Sequence, residues 1–235
     1  MRRSRVDGLA WWRRLLPSQC PLCLAVHSAR TWLCPECLAA LPALGPACPR
    51  CALPSPDGRL CGACLKRPPP QALTVAALAY DPPVDRLIQD LKFHARLGLA
   101  PDLGRLLAVA VRARGEALPE AVLAVPLHPA RLRERGFNQS LELARHCARA
   151  LGLPLRLGLC RRLRATAVQS TLDRRRRQGN LRGAFAGAGV PRRVALVDDV
   201  MTTGATVAEA ARALLAGGAT EVQVWVAARA ALRAG

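Results

Sequence analysis

The chain carries ten cysteines, and eight of them fall between Cys20 and Cys64 as four Cys-x-x-Cys turns: Cys20/Cys23, Cys34/Cys37, Cys48/Cys51 and Cys61/Cys64. Ten, ten and nine residues separate successive turns. Each turn aims two thiolates at one point, and two turns complete a tetrahedral Zn2+ shell, so eight ligands make two sites. Even spacing over four pairs argues against a redox-active dithiol; an iron–sulfur cluster is the competing metal reading. Sequential pairing (20/23 with 34/37, 48/51 with 61/64) closes the shorter loops at a lower entropic cost. An interleaved pairing also satisfies the ligands. The segment is too small for a core of its own, so the metals are expected to fold it. Cys147 and Cys160 stand outside the turns. Cys147 lies near an apolar helical stripe and reads as a small buried side chain.

A second group with chemical potential is Val197-Asp198-Asp199-Val200-Met201-Thr202-Thr203-Gly204-Ala205-Thr206. Two acids end an apolar run, at the end of a strand where open α/β sheets bind ligands. Three threonine hydroxyls and a glycine follow where a helix begins. The free N–H groups and dipole of a helix start favour a phosphate there, and Gly204 lets the backbone come close to it. Asp198 and Asp199 are placed to accept hydrogen bonds from vicinal ribose hydroxyls, helped by Mg2+. The order of parts matches neither GxxxxGK[ST] nor GxGxxG. A strand cap and a helix cap would explain one or two of these residues, not the run.

These residues need elements to hold them. Val194 to Val197 is a continuous apolar run, the pattern of a strand buried on both faces. Val207, Ala210, Ala211, Leu214 and Leu215 share one helix face, and Gly217-Gly218 ends that helix. Val222, Val224 and Val226 alternate as a last strand. This strand–loop–helix–strand is a βαβ unit and implies a largely parallel sheet. Upstream, Leu73–Tyr80 reads as a strand, and Val84, Leu87, Ile88 and Leu91 read as a helix face. Leu103, Leu106, Leu107 and Ala110 repeat that spacing. Ala121–Val125 reads as a buried strand. Leu141, Ala144, Ala148 and Leu151 form another helix, capped by Asn138 or Ser140. Leu153–Leu159 reads as a further strand, and Arg161–Arg182, polar and without a clean period, as a mobile loop. Pro68-Pro69-Pro70 marks a break. The expected organisation is an extension over 1–16, a double zinc ribbon over 17–66, a Pro-rich linker over 67–72 and an α/β domain over 73–235.

The 235 residues are 51% hydrophobic, enough for a packed core, and only 3% aromatic, so that core must be Leu, Val and Ala. The net charge is +19, and every basic residue but Lys66 and Lys92 is arginine. That excess points to anionic partners, while the scarcity of aromatics argues against a base-stacking platform for single strands. Arg13 and Arg14 interrupt the only apolar stretch near the start, so neither a signal peptide nor a membrane segment is expected. A cytoplasmic chain with reduced thiols, rather than a disulfide framework, is the expectation.

The run from Val197 to Thr206 resembles the phosphoribosyl pyrophosphate loop of type I phosphoribosyltransferases. The resemblance implies that Asp198 and Asp199 are the catalytic acids and hold the ribose 2′- and 3′-hydroxyls. Thr202, Thr203, Gly204, Ala205 and Thr206 would then cradle the 5′-phosphate. A narrower resemblance, to the competence-associated ComF family, rests on the four cysteine turns and Leu91-Lys92-Phe93-His94. It rests also on Val125-Pro126-Leu127-His128-Pro129, Arg131-Leu-Arg133-Glu-Arg135-Gly136-Phe137-Asn138-Gln139, and Gln169-Ser170 through Asn180–Phe185. It covers nearly the whole chain after about Pro17. It implies a type I phosphoribosyltransferase fold, α/β with a mostly parallel sheet, behind a double zinc ribbon. It also implies Mg2+ with phosphoribosyl pyrophosphate, and a link to DNA uptake with single-stranded DNA and other uptake proteins as partners. Arg131, Arg133 and Arg135 would reach pyrophosphate, and the Arg174–Arg177 stretch, Arg174 and Arg175 foremost, would close as a lid. His128 reads as an acid/base group or a structural loop histidine. No residues mark an acceptor site. A Mg2+-dependent transferase is the leading reading; a non-catalytic single-stranded nucleic-acid adaptor and a metabolite sensor are the alternatives.

Overall fold

The computed structural model describes residues 17–29, 31–164 and 181–231. It divides into two compact units, residues 1–41 and 42–235. In the first, β1 (Ser18–Gln19) and β2 (Val26–His27) pair antiparallel, and α1 (Pro35–Ala39) follows. Cys34 caps α1, its Sγ accepting from the Cys37 amide at 3.4 Å. Cys20, Leu33, Cys34 and Leu41 are its buried apolar residues. So few buried apolar residues among those described suit a module whose order depends on its metal.

The second unit begins with a 3-10 turn at Pro56–Gly58 and α2 (Gly62–Lys66), then enters the α/β body. Its elements are β3 (Leu73–Ala79), α3 (Val84–Phe93), α4 (Leu99–Arg114), β4 (Ala121–Ala124), α5 (Pro129–Arg135) and α6 (Gln139–Leu151). After these come β5 (Cys160–Arg162), β6 (Phe185–Gly187), β7 (Arg193–Met201), α7 (Ala205–Ala216) and β8 (Glu221–Arg229). The order β3-β8-β7-β4 is parallel throughout, so the expected α/β architecture with a parallel sheet is the observed one. Val194 through Val197 are fully buried, because β7 lies between two strands and helices cover the sheet. The βαβ unit runs β7–α7–β8, and Asp198 pairs in register with Val226.

Three local readings change. β8 does not alternate: Trp225 and Ala227 are as buried as Val224 and Val226, because β8 is also a central strand. Leu153–Leu159 makes a single bridge, Val122 to Leu155, rather than a strand. Pro154 has no N–H to donate, and Gly158 turns the chain with φ +78°. Arg161 and Arg162 are not loop residues; they sit in β5, paired antiparallel with β6. Helices α4 and α6 pack closely because position 104 lacks a side chain. A Cβ there would lie 2.7 Å from the Cβ of His146.

Candidate functional site

The eight turn cysteines gather into two sets, Cys20/Cys23/Cys34/Cys37 and Cys48/Cys51/Cys61/Cys64, with all ligand atoms of a set within 4.8 Å of one another. The pairing is the sequential one. Cys23 and Cys34 sulfurs stand 3.6 Å apart, and Cys51 and Cys61 sulfurs 3.7 Å apart. Zinc–sulfur bonds of about 2.3 Å at a tetrahedral angle place sulfurs about 3.8 Å apart, so both cages fit the ion. Burial disfavours the Cys20 thiolate, but backbone N–H groups of Cys23, Cys34 and Leu22 outweigh it and bring the thiol down to about 6. At Cys48 burial is again opposed, here by the amides of Cys61, Arg50 and Cys51, and the thiol falls to about 7. Each cage thus holds one thiol readily ionised before a metal arrives. These are two four-cysteine zinc-binding sites.

At the carboxyl end of β7, Asp198 and Asp199 are 8% and 3% exposed. Different helices hold the two acids. Asp198 Oδ1 accepts from Ser140 Oγ at 2.7 Å, in the first turn of α6, and from the Asp199 amide at 3.0 Å. Asp199 Oδ2 pairs with Lys92 Nζ of α3 at 2.5 Å. Burial pushes the Asp198 carboxyl up to about 7, with the neighbouring Asp199 charge adding to it and the Ser140 and Lys92 contacts opposing it. Asn138 sets Ser140 in place. Its Oδ1 accepts from the amides of Ser140 and Leu141, capping α6, while its Nδ2 donates to the Val125 carbonyl at the end of β4. Asp90 fastens the end of α3 by taking His94 at 2.9 Å and Arg96 at 3.2 Å.

Thr202, Thr203, Gly204, Ala205 and Thr206 form the turn from β7 into α7 and are exposed or half-buried. Gly204 has φ +79°, and a Cβ there would lie 2.6 Å from Met201 Cε. The left-handed backbone favours glycine there, while a Cβ would only have to push aside the flexible end of Met201. Thr203 Oγ1 accepts from the Ala205 amide at 3.3 Å. The turn presents backbone N–H groups at the helix start, which favour an anion, beside two acids.

The arginines separate. Arg131 is exposed on α5 and pairs with Glu134 at 3.2 Å. Arg133 is exposed on the same helix. Arg135 donates to Gln139 Oε1 at 2.6 Å and lies over the Phe93 ring, 5.3 Å from its centroid. Arg174 and Arg175 fall outside the described residues. His128 caps α5, its Nδ1 accepting from the Ala130 amide at 3.3 Å. Cys147 and Cys160 are buried, and burial pushes both thiols up to about 12, far from a nucleophile's range.

Sequence reasoning missed three participants. Lys92 had a signal: it is one of two lysines in a chain that otherwise uses arginine. Ser140 had none, since it reaches Asp198 across 58 residues of sequence. Arg162 lies in β5 with its guanidinium over Phe185. Burial lowers its pKa, Asp198 opposes that shift and Arg131 adds to it, so its charge is within reach of both.

Residues 11–65 match the family model described as a double zinc ribbon domain. The chain is 44% identical over 172 residues to the DNA utilization protein YhgH of Escherichia coli (strain K12), spanning 70% of this chain and 75% of that one. The Shigella flexneri protein of the same name matches to the same extent. Competence protein F of Haemophilus influenzae is 39% identical over 179 residues, spanning 72% of this chain and 78% of its own. Among the described residues no helix is long and apolar enough to cross a membrane.

Proposed function

Since the chain belongs to the ComF family, the relatives of which include the DNA utilization protein YhgH and Competence protein F, we propose that it binds phosphoribosyl pyrophosphate with Mg2+ and transfers phosphoribose to an acceptor in the use of incoming DNA. The carrying observation is the junction of β7 and α7: two buried acids, each tied to its own helix, followed by a glycine-led turn with amides at a helix start. In this reading the 5′-phosphate sits on Thr202–Thr206, and Asp198 and Asp199 accept from the ribose hydroxyls. The two carboxylates are hard oxygen donors of the kind Mg2+ takes, and the ion, when bound, neutralises charge on the leaving diphosphate.

Transfer breaks the bond from C1′ to pyrophosphate and forms one from C1′ to the acceptor. Positive charge develops on the ribose ring, where the buried acids stabilise it, and negative charge on the leaving group. Arg131 and Arg162 are the candidates to meet that negative charge. Arg135, held by Gln139 and Phe93, instead orders the start of α6 that presents Ser140. The two zinc sites are structural. A cytoplasmic location, where thiols stay reduced, suits the cysteine cages.

A second reading, a nucleic-acid adaptor that does not turn over, is favoured by the +19 charge and the names of the relatives. One assay separates the two: pyrophosphate release from phosphoribosyl pyrophosphate and Mg2+ with a panel of nucleobases, amines and short single-stranded DNA. The transferase reading expects release with at least one acceptor. No release with any acceptor, alongside DNA binding that weakens steeply with salt, would replace it with the adaptor.

A further inference from the structure

Arg229 ends β8 and is only 3% exposed. Its guanidinium donates in two directions. Nε donates to the backbone carbonyl of Cys51, a member of the second cysteine cage, at 2.8 Å. Nη1 donates to the carbonyls of Met201 at 2.7 Å, Ala230 at 2.8 Å and Thr202. Met201 and Thr202 are where β7 gives way to the phosphate turn. Arg229 is also paired in register with Met201, and the Ala230 amide donates to the Met201 carbonyl at 3.1 Å. The end of the Met201 side chain in turn comes within 2.6 Å of the position a Cβ on Gly204 would take. One planar, rigid donor fork therefore fixes both the zinc knuckle and the root of the turn.

Removing a guanidinium from water is costly, and a buried one persists only where its acceptors are held in place. The carbonyl of Cys51 is held when its own thiolate is held. We propose that Arg229 is a positioning residue that couples the Cys48/Cys51/Cys61/Cys64 metal site to the phosphate turn, so that metal in the cage orders the turn. By linkage, a ligand on the turn raises the cage's metal affinity by the same factor. The ligand half of this statement rests on the phosphoribosyl reading above; the ordering half does not.

The test uses full-length, zinc-loaded protein and hydrogen–deuterium exchange at the amides of Ala205, Ala208 and Ala230, which are hydrogen-bonded around the turn. It compares the wild type before and after chelation with Arg229→Gln, Arg229→Lys and Cys61→Ser. Chelation and Cys61→Ser should each speed exchange by about tenfold, a typical coupling between sites. Arg229→Gln should exchange as fast with both zinc ions retained, and Arg229→Lys, which keeps a donor and the charge, should fall between. Affinity for phosphoribosyl pyrophosphate should drop by the same factor. Unchanged exchange in the chelated wild type overturns the coupling, whatever the folding of the variants. Exchange at the wild-type rate in zinc-loaded Arg229→Gln also overturns it. If exchange responds to zinc but the wild type binds no phosphoribosyl pyrophosphate, the coupling holds and the ligand reading fails.

Discussion

Asp198 and Asp199 are neighbours in sequence but answer to different partners, and that division sets two expectations. Lys92→Met would leave the Asp199 carboxylate buried without its cation. Because Lys92 is partly exposed, we expect a loss of about 1–3 kcal/mol in denaturant unfolding, less than for a fully buried pair. Adding Asp199→Asn should recover much of that loss; strictly additive losses would mean the pair does not interact. The second expectation concerns pH. Burial holds the Asp198 carboxyl at about 7 in the folded state, against about 3.9 in an unfolded chain. Between those values the folded state keeps a proton that the unfolded state has lost. Stability is therefore greatest at the acid end and falls as pH rises through 7. From pH 5.5 to 8 in ligand-free protein, Asp198→Asn should lack a decline of up to about 2 kcal/mol that the wild type shows. Identical slopes would count against that burial. The acids themselves were legible from the sequence, because their types and order at a strand end narrow the chemistry. Their partners were not assigned from the sequence, although Lys92 stood out as one of two lysines: Ser140 and Lys92 reach the acids only through the packing of α6 and α3 on the sheet.

The β7–α7–β8 unit carries the candidate site, and its turn holds Gly204 in a left-handed backbone that strains any other residue. Gly204→Ala places an alanine in a left-handed backbone, which should cost about 1–3 kcal/mol of stability, with the end of Met201 moving aside for the Cβ. It should also weaken phosphoribosyl pyrophosphate binding more than thermal stability alone accounts for. Wild-type affinity in a folded Gly204→Ala protein would show that the turn does not carry the phosphate. The unit was readable in the sequence because its strand is continuously apolar, its helix face has a clear period and Gly217-Gly218 stops it. The β5–β6 hairpin was not readable. Cys160-Arg161-Arg162 has too little apolar character to announce a strand, and its pairing comes from contact with Phe185–Gly187. Leu153–Leu159 failed in the opposite way, apolar enough for a strand but broken by Pro154 and Gly158. Of the three arginines read as reaching for pyrophosphate, Arg131 pairs with Glu134, Arg135 with Gln139 and Phe93, and Arg133 is exposed on α5.

At the scale of the whole molecule, the zinc cages were the most legible feature, since four evenly spaced Cys-x-x-Cys turns leave little else for the thiols to do. Hidden from the sequence was that the second cage belongs to the same compact unit as the sheet. Thr74 Oγ1 donates to the Arg50 carbonyl, and Arg50 Nη1 to that of Gln71, so the cage is stitched to the start of β3 as well as to Arg229. Across the stiff break at Pro68-Pro69-Pro70, hydrogen bonds between Arg50 and Gln71 join the two sides. The +19 charge adds an anion-attracting field to this scaffold and raises encounter rates with phosphates of any origin, so charge alone cannot specify a ligand. In the proposed function, specific binding comes from the turn and its acids. The most direct measurement is titration calorimetry of the zinc-loaded chain with phosphoribosyl pyrophosphate and Mg2+, run beside the doubly substituted Asp198→Asn, Asp199→Asn protein. We predict one saturable site per chain, lost in the substituted protein while its zinc content and cooperative unfolding persist. Absence of binding to the wild type, or equal binding to the substituted protein, would contradict the account.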